Sequence, residues 1–212
     1  MTLDPYYSDD SVTIYHGDCR DILPKLTADA VIMDPPYGVG KVYGDSYTDT
    51  GGVGYWDFMR CVVDLCRTTA PVVAMTHRVP AIREITDWDW LCVWCKPGTQ
   101  SRLFHHHVNP TWEPIFCWGT DHLTTWRPDT FVVPAISPTT VPGDHPFPKP
   151  LSLMRRLVEW LCPAGTVVDP FMGSGTTLRA AKDLGRKAIG IELEERYCEI
   201  AVKRLGQQVL AL

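Results

Sequence analysis

The chain has 212 residues, of which 45% are hydrophobic and 21% are charged, and its formal net charge is −5. A chain of this size can bury one sizeable core, so we expect a single domain over residues 1–212. No apolar run approaches the roughly 18 residues of a membrane span, and the first residues do not resemble a leader, which argues against membrane insertion and secretion and predicts a soluble cytoplasmic protein.

The net charge restricts how the chain could bind DNA, and the cysteine spacing indicates the redox state of the thiols. Lys and Arg supply most non-specific affinity for nucleic acid, so a chain with negative net charge could bind DNA only through a local basic patch. The eight cysteines lie within apolar stretches and lack the spacing of a secreted disulfide framework. We therefore expect reduced, mostly buried thiols.

Seven short apolar, β-branched runs predict strands. In chain order they cover residues 12–15, 30–33, 72–75, 91–94, 115–118, 167–168 and 188–191. Helical periodicity separates several of them, with Leu151, Met154 and Leu157 on one face, and a last helix is predicted from Glu194 to Leu205, ending at Gly206. Helices that alternate with buried strands indicate an α/β fold with a parallel-type sheet.

Two stretches depart from this pattern. Residues 38–54 contain six glycines, which predicts a mobile loop without regular structure. Residues 135–150 contain five prolines, which predicts an extended connector rather than a helix. Neither flank of either stretch has enough strands to close a sheet alone, so we do not interpret them as domain linkers.

A strand, a glycine turn and the start of a helix follow one another in the sequence VVDPFMGSGTT of residues 167–177. The next strand ends at Glu192, 19 residues after Gly173, near the spacing at which a Rossmann-type acid reaches ribose hydroxyls. Two adjacent strands with such an acid predict a pocket for adenosine.

The glycine turn matches neither phosphate-binding motif. Leu178 stands where a dinucleotide motif has its third glycine, and Thr176 stands where a P-loop has lysine. Asp169 would repel a pyrophosphate but would pair with the ammonium of a bound amino acid, which indicates S-adenosylmethionine and disfavours a nicotinamide oxidoreductase. A structural βα turn is the alternative. The expected cofactor contacts are Asp169, Phe171, Gly173, Ser174, Gly175, Thr176 and Glu192.

A tetrapeptide with catalytic potential, Asp34-Pro35-Pro36-Tyr37, follows the strand of residues 30–33, at the edge where ligands bind in open α/β sheets. An aromatic amino nitrogen shares its lone pair with its ring and is a poor nucleophile toward a sulfonium methyl. Asp34 and the Pro35 carbonyl would each accept an N–H, drawing the nitrogen toward tetrahedral geometry. Tyr37 would stack on the base, which must be flipped out of a duplex. An acid-initiated Pro-Pro turn is the alternative.

With these motifs the chain resembles the permuted DNA amino-methyltransferases called the beta group, in which the Pro-Pro-Tyr motif precedes the Phe-x-Gly-x-Gly motif. The segment His145-Pro146-Phe147-Pro148-Lys149-Pro150 is similar to the family's His-Pro-x-x-Lys-Pro. The resemblance implies a Rossmann-like, seven-stranded mixed sheet with one reversed strand, in circularly permuted order. It also implies that His145 and Lys149 help hold the methionine moiety, and that Asp18 lies near the cofactor's adenine, beside Cys19. We count Asp34 among the cofactor contacts too.

The resemblance bears on substrate as well. Asp before Pro-Pro-Tyr is more typical of members that act on the 6-amino group of adenine, so a site-specific DNA adenine methyltransferase without a metal is predicted. Methylation of the cytosine 4-amino group, of an RNA base or of an amide stays open, as does a non-catalytic nucleic-acid-binding module. A homodimer and an accompanying restriction enzyme are compatible with the sequence.

DNA contacts are predicted in two segments, 96–112 and 119–144, that are short for target recognition. The candidate side chains are Lys41, Lys96, Arg102, His105, His106, His107 and Arg127. Ordinary solvated surface is the alternative for each of them.

Overall fold

The fold is organised by a mixed sheet of nine strands, and a computed structural model describes residues 3–40, 42–43, 47–48, 51–98, 109–136 and 149–206. The strands are β1 (Tyr7–Ser8), β2 (Val12–His16), β3 (Ala30–Met33), β6 (Val72–Thr76), β7 (Trp90–Cys95), β8 (Trp112–Trp118), β9 (Thr130–Val132), β10 (Thr166–Asp169) and β11 (Lys187–Glu192). A separate small hairpin consists of β4 (Val42–Tyr43) and β5 (Tyr47–Thr48).

Strand order across the large sheet is β1-β2-β11-β10-β3-β6-β8-β7-β9. All seven predicted strands are present, and among those seven only β8 is reversed, pairing antiparallel with both β6 and β7. The prediction of a mixed seven-stranded sheet with one reversed strand is therefore confirmed. The two-residue β1 and three-residue β9 extend it at its edges.

Helices cover both faces of this sheet. They are α1 (Cys19–Ile22), α2 (Val53–Thr69), α3 (Leu151–Leu161), α4 (Thr176–Asp183) and α5 (Glu195–Gly206), with short 3-10 turns at Leu23–Lys25, Val79–Arg83 and Thr120–His122. The central strand β3 shows why two layers are needed. Ala30 and Ile32 belong to a core shared with α3, α4 and α5, whereas Val31 and Met33 belong to a core shared with α1 and α2. A parallel strand buried on both faces is apolar throughout.

The permuted order brings distant parts of the chain together. β3 and β10 lie side by side and parallel, with Val31 opposite Val168, although 137 positions separate them in sequence. The residues that follow these two strands, Asp34 and those after Asp169, therefore emerge at the same edge of the sheet.

The glycine-rich stretch 38–54 contains regular structure that was not predicted from the sequence. Its backbone forms the β4–β5 hairpin, and α2 begins inside it, at Val53. The helix starts there because the stripe Tyr55, Met59 and Val62 repeats with helical spacing and is buried, which outweighs the cost of Gly54 in the first turn. Most of the proline-rich stretch 135–150 lies outside the described residues.

The structure bears on two further predictions, one about the cysteines and one about membrane spans. All eight cysteines are free and six are buried, while Cys61 is exposed and Cys95 is partly buried, which confirms the mostly buried thiols. In the described ranges, no helix combines the length and apolar character needed to cross a bilayer.

Candidate active site

A cavity of about 530 Å³ opens at the carboxyl ends of β2, β3, β10 and β11. This volume lies within the usual range for small-ligand sites. Its walls are Gly17–Arg20, Asp34–Tyr37, Gly54, Tyr55, Phe58, Lys149, Met154, Asp169–Ser174, Thr176, Thr177, Glu192–Glu194 and Tyr197. Both predicted motifs thus contribute to a single cavity.

The glycine turn between β10 and α4 takes its shape from left-handed backbone. Gly173 has φ 50° and Gly175 has φ 77°, conformations that side chains with a Cβ rarely adopt. A Cβ on Gly175 would also lie 2.9 Å from that of Ala201 in α5. Gly175 therefore allows α5 to pack closely against the turn.

The acid at the end of β10 is deeply buried. Asp169 Oδ1 accepts a hydrogen bond from the backbone N–H of Phe171 at 3.0 Å, and Thr177 donates another. Burial raises the pKa of this carboxyl to about 7, with Asp34 and Glu192 adding repulsion. No lysine or arginine of the described chain forms an ion pair with it. A ligand ammonium at this position would offset the buried charge.

The acid at the end of β11 is held by backbone amides. Glu192 Oε2 accepts from Gly173 N–H and Oε1 from Glu194 N–H, each at 2.9 Å. Because each carboxylate oxygen has two lone pairs, Glu192 can still accept hydrogen bonds from ribose hydroxyls. Burial raises its pKa as well.

The loop after β2 forms a further part of the cavity wall. Asp18 caps α1 by accepting from Arg20 N–H at 2.9 Å, and the Arg20 guanidinium lies 5.3 Å from the centre of the Phe58 ring. Phe58 in turn meets Phe171 edge-on, with 6.2 Å between ring centres. Burial raises the pKa of the Cys19 thiol to about 12, so this residue contributes a neutral surface. Such a wall suits a planar aromatic ligand.

Asp34 is held at one oxygen by two donors. Its Oδ1 accepts from Thr76 Oγ1 at 2.6 Å and lies 2.7 Å from Lys149 Nζ. Thr76 ends β6, the strand beside β3, and Lys149 precedes α3. These contacts fix the carboxylate relative to the sheet edge.

Charges alternate around Lys149. Its ammonium also donates to the Tyr37 hydroxyl at 2.7 Å and lies 3.7 Å from Glu113 Oε2, while Lys96 pairs with Glu113 Oε1 at 2.8 Å. Burial disfavours the charged forms of Lys149 and Glu113, but the attraction of opposite charges has the larger effect. Asp34 and Glu113 therefore raise the pKa of Lys149, and Lys149 and Lys96 lower the pKa of Glu113. The cluster of Asp34, Lys149, Glu113 and Lys96 is formally neutral, which allows its burial.

Tyr37 has one ring face covered. It is stacked on the imidazole of His77 with ring centres 4.6 Å apart and planes inclined by 20°. Its hydroxyl donates to Glu113 Oε2 at 2.9 Å. A base stacking on Tyr37 would therefore use the opposite face.

Comparison with known proteins agrees with this geometry. A family model described as DNA methylase matches residues 100–203. The chain is 46% identical to Type II methyltransferase M2.LlaDCHI of Lactococcus lactis subsp. cremoris, over 96% of this chain and 92% of that protein. This chain belongs to the DNA amino-methyltransferase family.

Further relatives cover almost the whole methyltransferase. DNA adenine methyltransferase YhdJ of Escherichia coli is 26% identical over 94% of this chain and 84% of its own. The crystal structure of M1.HpyAVI in complex with SAM aligns with TM-score 0.65 and 27% identity, covering 92% and 100% of the two chains. The cytosine-N4-specific PvuII DNA methyltransferase aligns with TM-score 0.73 and 16% identity, covering 98% and 90%. The family to which the chain belongs is SAM-dependent and modifies DNA.

The structure brings most predicted site residues of the methyltransferase to the cavity. Gly175 is absent from its wall, and His145 lies outside the described residues. The hydroxyls of Ser174 and Thr176 accept from Arg204 of α5, at 3.0 and 2.7 Å, while both residues line the cavity. Lys149, expected at the methionine moiety, places its ammonium on Asp34 and Tyr37.

Sequence reasoning missed several residues of the site. Thr76 ends the strand beside β3 and His77 follows it, so the rule that pointed to Asp34 applied to them too. Glu113 lies near the start of β8, and only the reversal of that strand places it at the carboxyl-end edge. Tyr55, Phe58 and Arg20 carry no signal of this kind in the sequence.

The DNA-contacting surface stays a prediction. Lys41 and residues 99–108, which hold Arg102 and the three histidines, lie outside the described residues. Lys96 forms an ion pair with Glu113 and is largely buried, so it does not present a free charge at the surface. Arg127 lies 3.8 Å from Glu159. Within the described ranges, no group of His, Cys, Asp and Glu has the arrangement of a metal site.

Proposed function

We propose that this methyltransferase transfers a methyl group from SAM to the 6-amino group of adenine in DNA, with Asp34, Pro35, Pro36 and Tyr37 as its catalytic residues. The observation that carries the proposal is that the carboxyl ends of β3 and β10 open into one cavity, with Asp34 anchored on Lys149 and Asp169 buried without a Lys or Arg partner among the described residues. Such a cavity suits a cationic ligand next to an acceptor for an amino group.

The cofactor half of the cavity fits SAM residue by residue. Asp169 would pair with the methionine ammonium, Glu192 would accept from the ribose hydroxyls, and the wall of Asp18, Cys19 and Phe171 would hold the adenine. Gly173, Ser174 and Thr176 would line the turn beneath the ligand, where Gly175 sets the backbone. When bound, SAM supplies a methyl group on a positively charged sulfur.

The catalytic half prepares the nucleophile. Thr76 and Lys149 both contact Oδ1 of Asp34, so we assign Oδ2 as the acceptor for one N–H of the target amino group. The Pro35 carbonyl would accept the other N–H. Two such acceptors draw the nitrogen toward tetrahedral geometry and turn its lone pair to the methyl donor. Tyr37 would stack on the flipped base with the ring face opposite His77.

Adenine is favoured as the target because Asp stands first in the tetrapeptide. YhdJ, which is named a DNA adenine methyltransferase, aligns with almost the whole chain. The second candidate is the 4-amino group of cytosine, since the cytosine-N4-specific PvuII enzyme shares the fold. At 16% identity that likeness informs the fold alone.

A base analysis decides between the two targets. DNA is incubated with the purified protein and SAM carrying a labelled methyl group, then digested to nucleosides and analysed by mass spectrometry. We expect label in 6-methyladenine. Label in 4-methylcytosine alone would refute the adenine assignment while leaving amino methylation intact.

A further inference from the structure

A buried histidine–tyrosine pair contacts the catalytic turn through hydrogen bonds that the mechanism above does not use. His77 follows β6 and is fully buried, and Tyr55 lies in the first turn of α2 with 6% exposure. His77 Nε2 lies 2.7 Å from the Tyr55 hydroxyl, which in turn contacts the carbonyl oxygen of Pro36. Trp56 packs beside the imidazole, with ring centres 5.3 Å apart.

The hydrogen bonds of this pair have a defined direction. His77 Nδ1 accepts the backbone N–H of Arg78 at 2.9 Å, so the proton of the neutral ring is on Nε2. Nε2–H therefore donates to the Tyr55 oxygen, and the only hydroxyl hydrogen of Tyr55 is left to donate to the Pro36 carbonyl. Burial lowers the pKa of His77 to about 3, with Arg78 and Lys149 adding repulsion, so the ring is neutral at physiological pH.

We propose that His77 and Tyr55 are positioning residues for methyl transfer, which orient the catalytic turn by holding the Pro36 carbonyl. Thr76 and Lys149 anchor Asp34 on one side of the Pro35 carbonyl, and Tyr55 anchors Pro36 on the other. The φ angles of both prolines are fixed by their rings, so anchors at both ends leave the Pro35 carbonyl little freedom. The inference rests on the proposed role of that carbonyl as an acceptor for the amino group.

The backbone after the tetrapeptide is shaped around Tyr55 as well. Gly38 has φ 64°, and a Cβ there would lie 3.1 Å from the Tyr55 ring. The chain leaving Tyr37 therefore passes directly against the ring whose hydroxyl holds Pro36. His77 supports the same turn a second time, because it is stacked on Tyr37.

Tyr55→Phe tests the proposal by removing one oxygen while keeping the packed ring. Misplacement of a reacting group by about 1 Å can lower a rate about 100-fold, so we expect the single-turnover rate of methyl transfer to fall about 10- to 100-fold. The Kd for SAM should stay within about twofold, because the ring of residue 55 stays in the cavity wall and the hydroxyl that is removed contacts Pro36 and His77. Tyr7→Phe is the matched control: its hydroxyl bonds Asp9 at 2.9 Å on the edge strand β1, and its loss should leave the rate unchanged.

Two substitutions of His77 separate positioning from packing. The side-chain nitrogen of glutamine is as many bonds from the backbone as Nε2, so His77→Gln keeps a donor to Tyr55. Asparagine reaches only the Nδ1 position, so His77→Asn does not. We expect His77→Gln to transfer methyl at least about fivefold faster than His77→Asn at similar SAM affinity.

The outcomes are separable from those of the base analysis. Rates are measured with whichever base the wild-type protein methylates, so a cytosine target would refute the adenine assignment without touching this inference. A wild-type rate for Tyr55→Phe would overturn the positioning role. If Tyr55→Phe does not fold cooperatively in urea, the His77 pair decides, and equal rates for its two variants would overturn the role.

Discussion

Glu113→Gln removes one charge from the buried cluster behind Asp34 while preserving the shape of the side chain. At an effective dielectric constant of about 20, the attractions of Glu113 for Lys96 at 2.8 Å and for Lys149 at 3.7 Å are roughly 6 and 4 kcal/mol. Removing the charge also removes its desolvation cost, and breaking a buried pair typically costs about 3–5 kcal/mol net. With the Glu113 side chain 17% exposed, we expect the free energy of unfolding to fall by about 3 kcal/mol at pH 7.

The effect of Glu113→Gln has a predicted pH dependence. The lysines hold the folded-state pKa of Glu113 below its ordinary value. Its stabilising contribution is thus present above the pKa of the unfolded chain and is lost as pH falls through the folded-state pKa. The difference between wild type and variant should be largest at neutral pH and should close in acid.

Urea unfolding followed by tryptophan fluorescence between pH 7 and pH 3 measures this difference. Glu159→Gln is the control: Glu159 lies 3.8 Å from Arg127 with both side chains about half exposed, so its loss should cost less than about 0.5 kcal/mol. Equal stability of Glu113→Gln and wild type at pH 7, or a difference that does not change with pH, would refute the reasoning.

Two further substitutions test cofactor binding at Asp169 and the packing around Gly190. Because burial raises the pKa of Asp169 to about 7, the acid is protonated below that value, and titration calorimetry should show SAM affinity falling about tenfold per pH unit below pH 7 in wild type. Asp169→Asn should bind SAM weakly and without this dependence, and a wild-type pH profile would disprove the pairing with the ammonium. Gly190→Ala puts a Cβ against Met172 and 2.7 Å from Leu178. We therefore expect the free energy of unfolding to fall by about 1–3 kcal/mol, as measured by thermal unfolding. Gly54→Ala, whose Cβ meets nothing within 4 Å, is the control and should not lower stability, whereas equal melting points for all three proteins would contradict the packing argument.

The sheet was predictable because each of its central strands is marked by a short apolar run in the sequence. Ala30–Met33 is buried on both faces and therefore apolar at every position, and the same holds for Val72–Met75. β1 and β9 were missed since two- and three-residue edge strands have one or no buried side chain. The start of α2 was missed because the glycines of 38–54 outweighed the buried stripe that begins at Tyr55.

The site was predictable where function demands a motif and not where it depends on packing across strands. Asp34 and Asp169 stand at strand ends within recognisable sequences. Glu113 acts through Lys149, which is 36 positions further along the chain, and His77 acts through Tyr55, which is 22 positions before it. Only the fold brings these residues together. Lys149 is an example: its motif predicted that it belongs to the site, but only the structure shows that its ammonium contacts Asp34 and Tyr37.

The most direct test of the account is methyl transfer by Asp34→Ala. Calorimetry should give a Kd for SAM within about twofold of wild type, since Asp169 and Glu192 are untouched. Single-turnover transfer of labelled methyl to DNA should fall about a thousandfold or more, because the target nitrogen loses its charged acceptor. Transfer at the wild-type rate by this variant would contradict the central role of the Asp34 carboxylate.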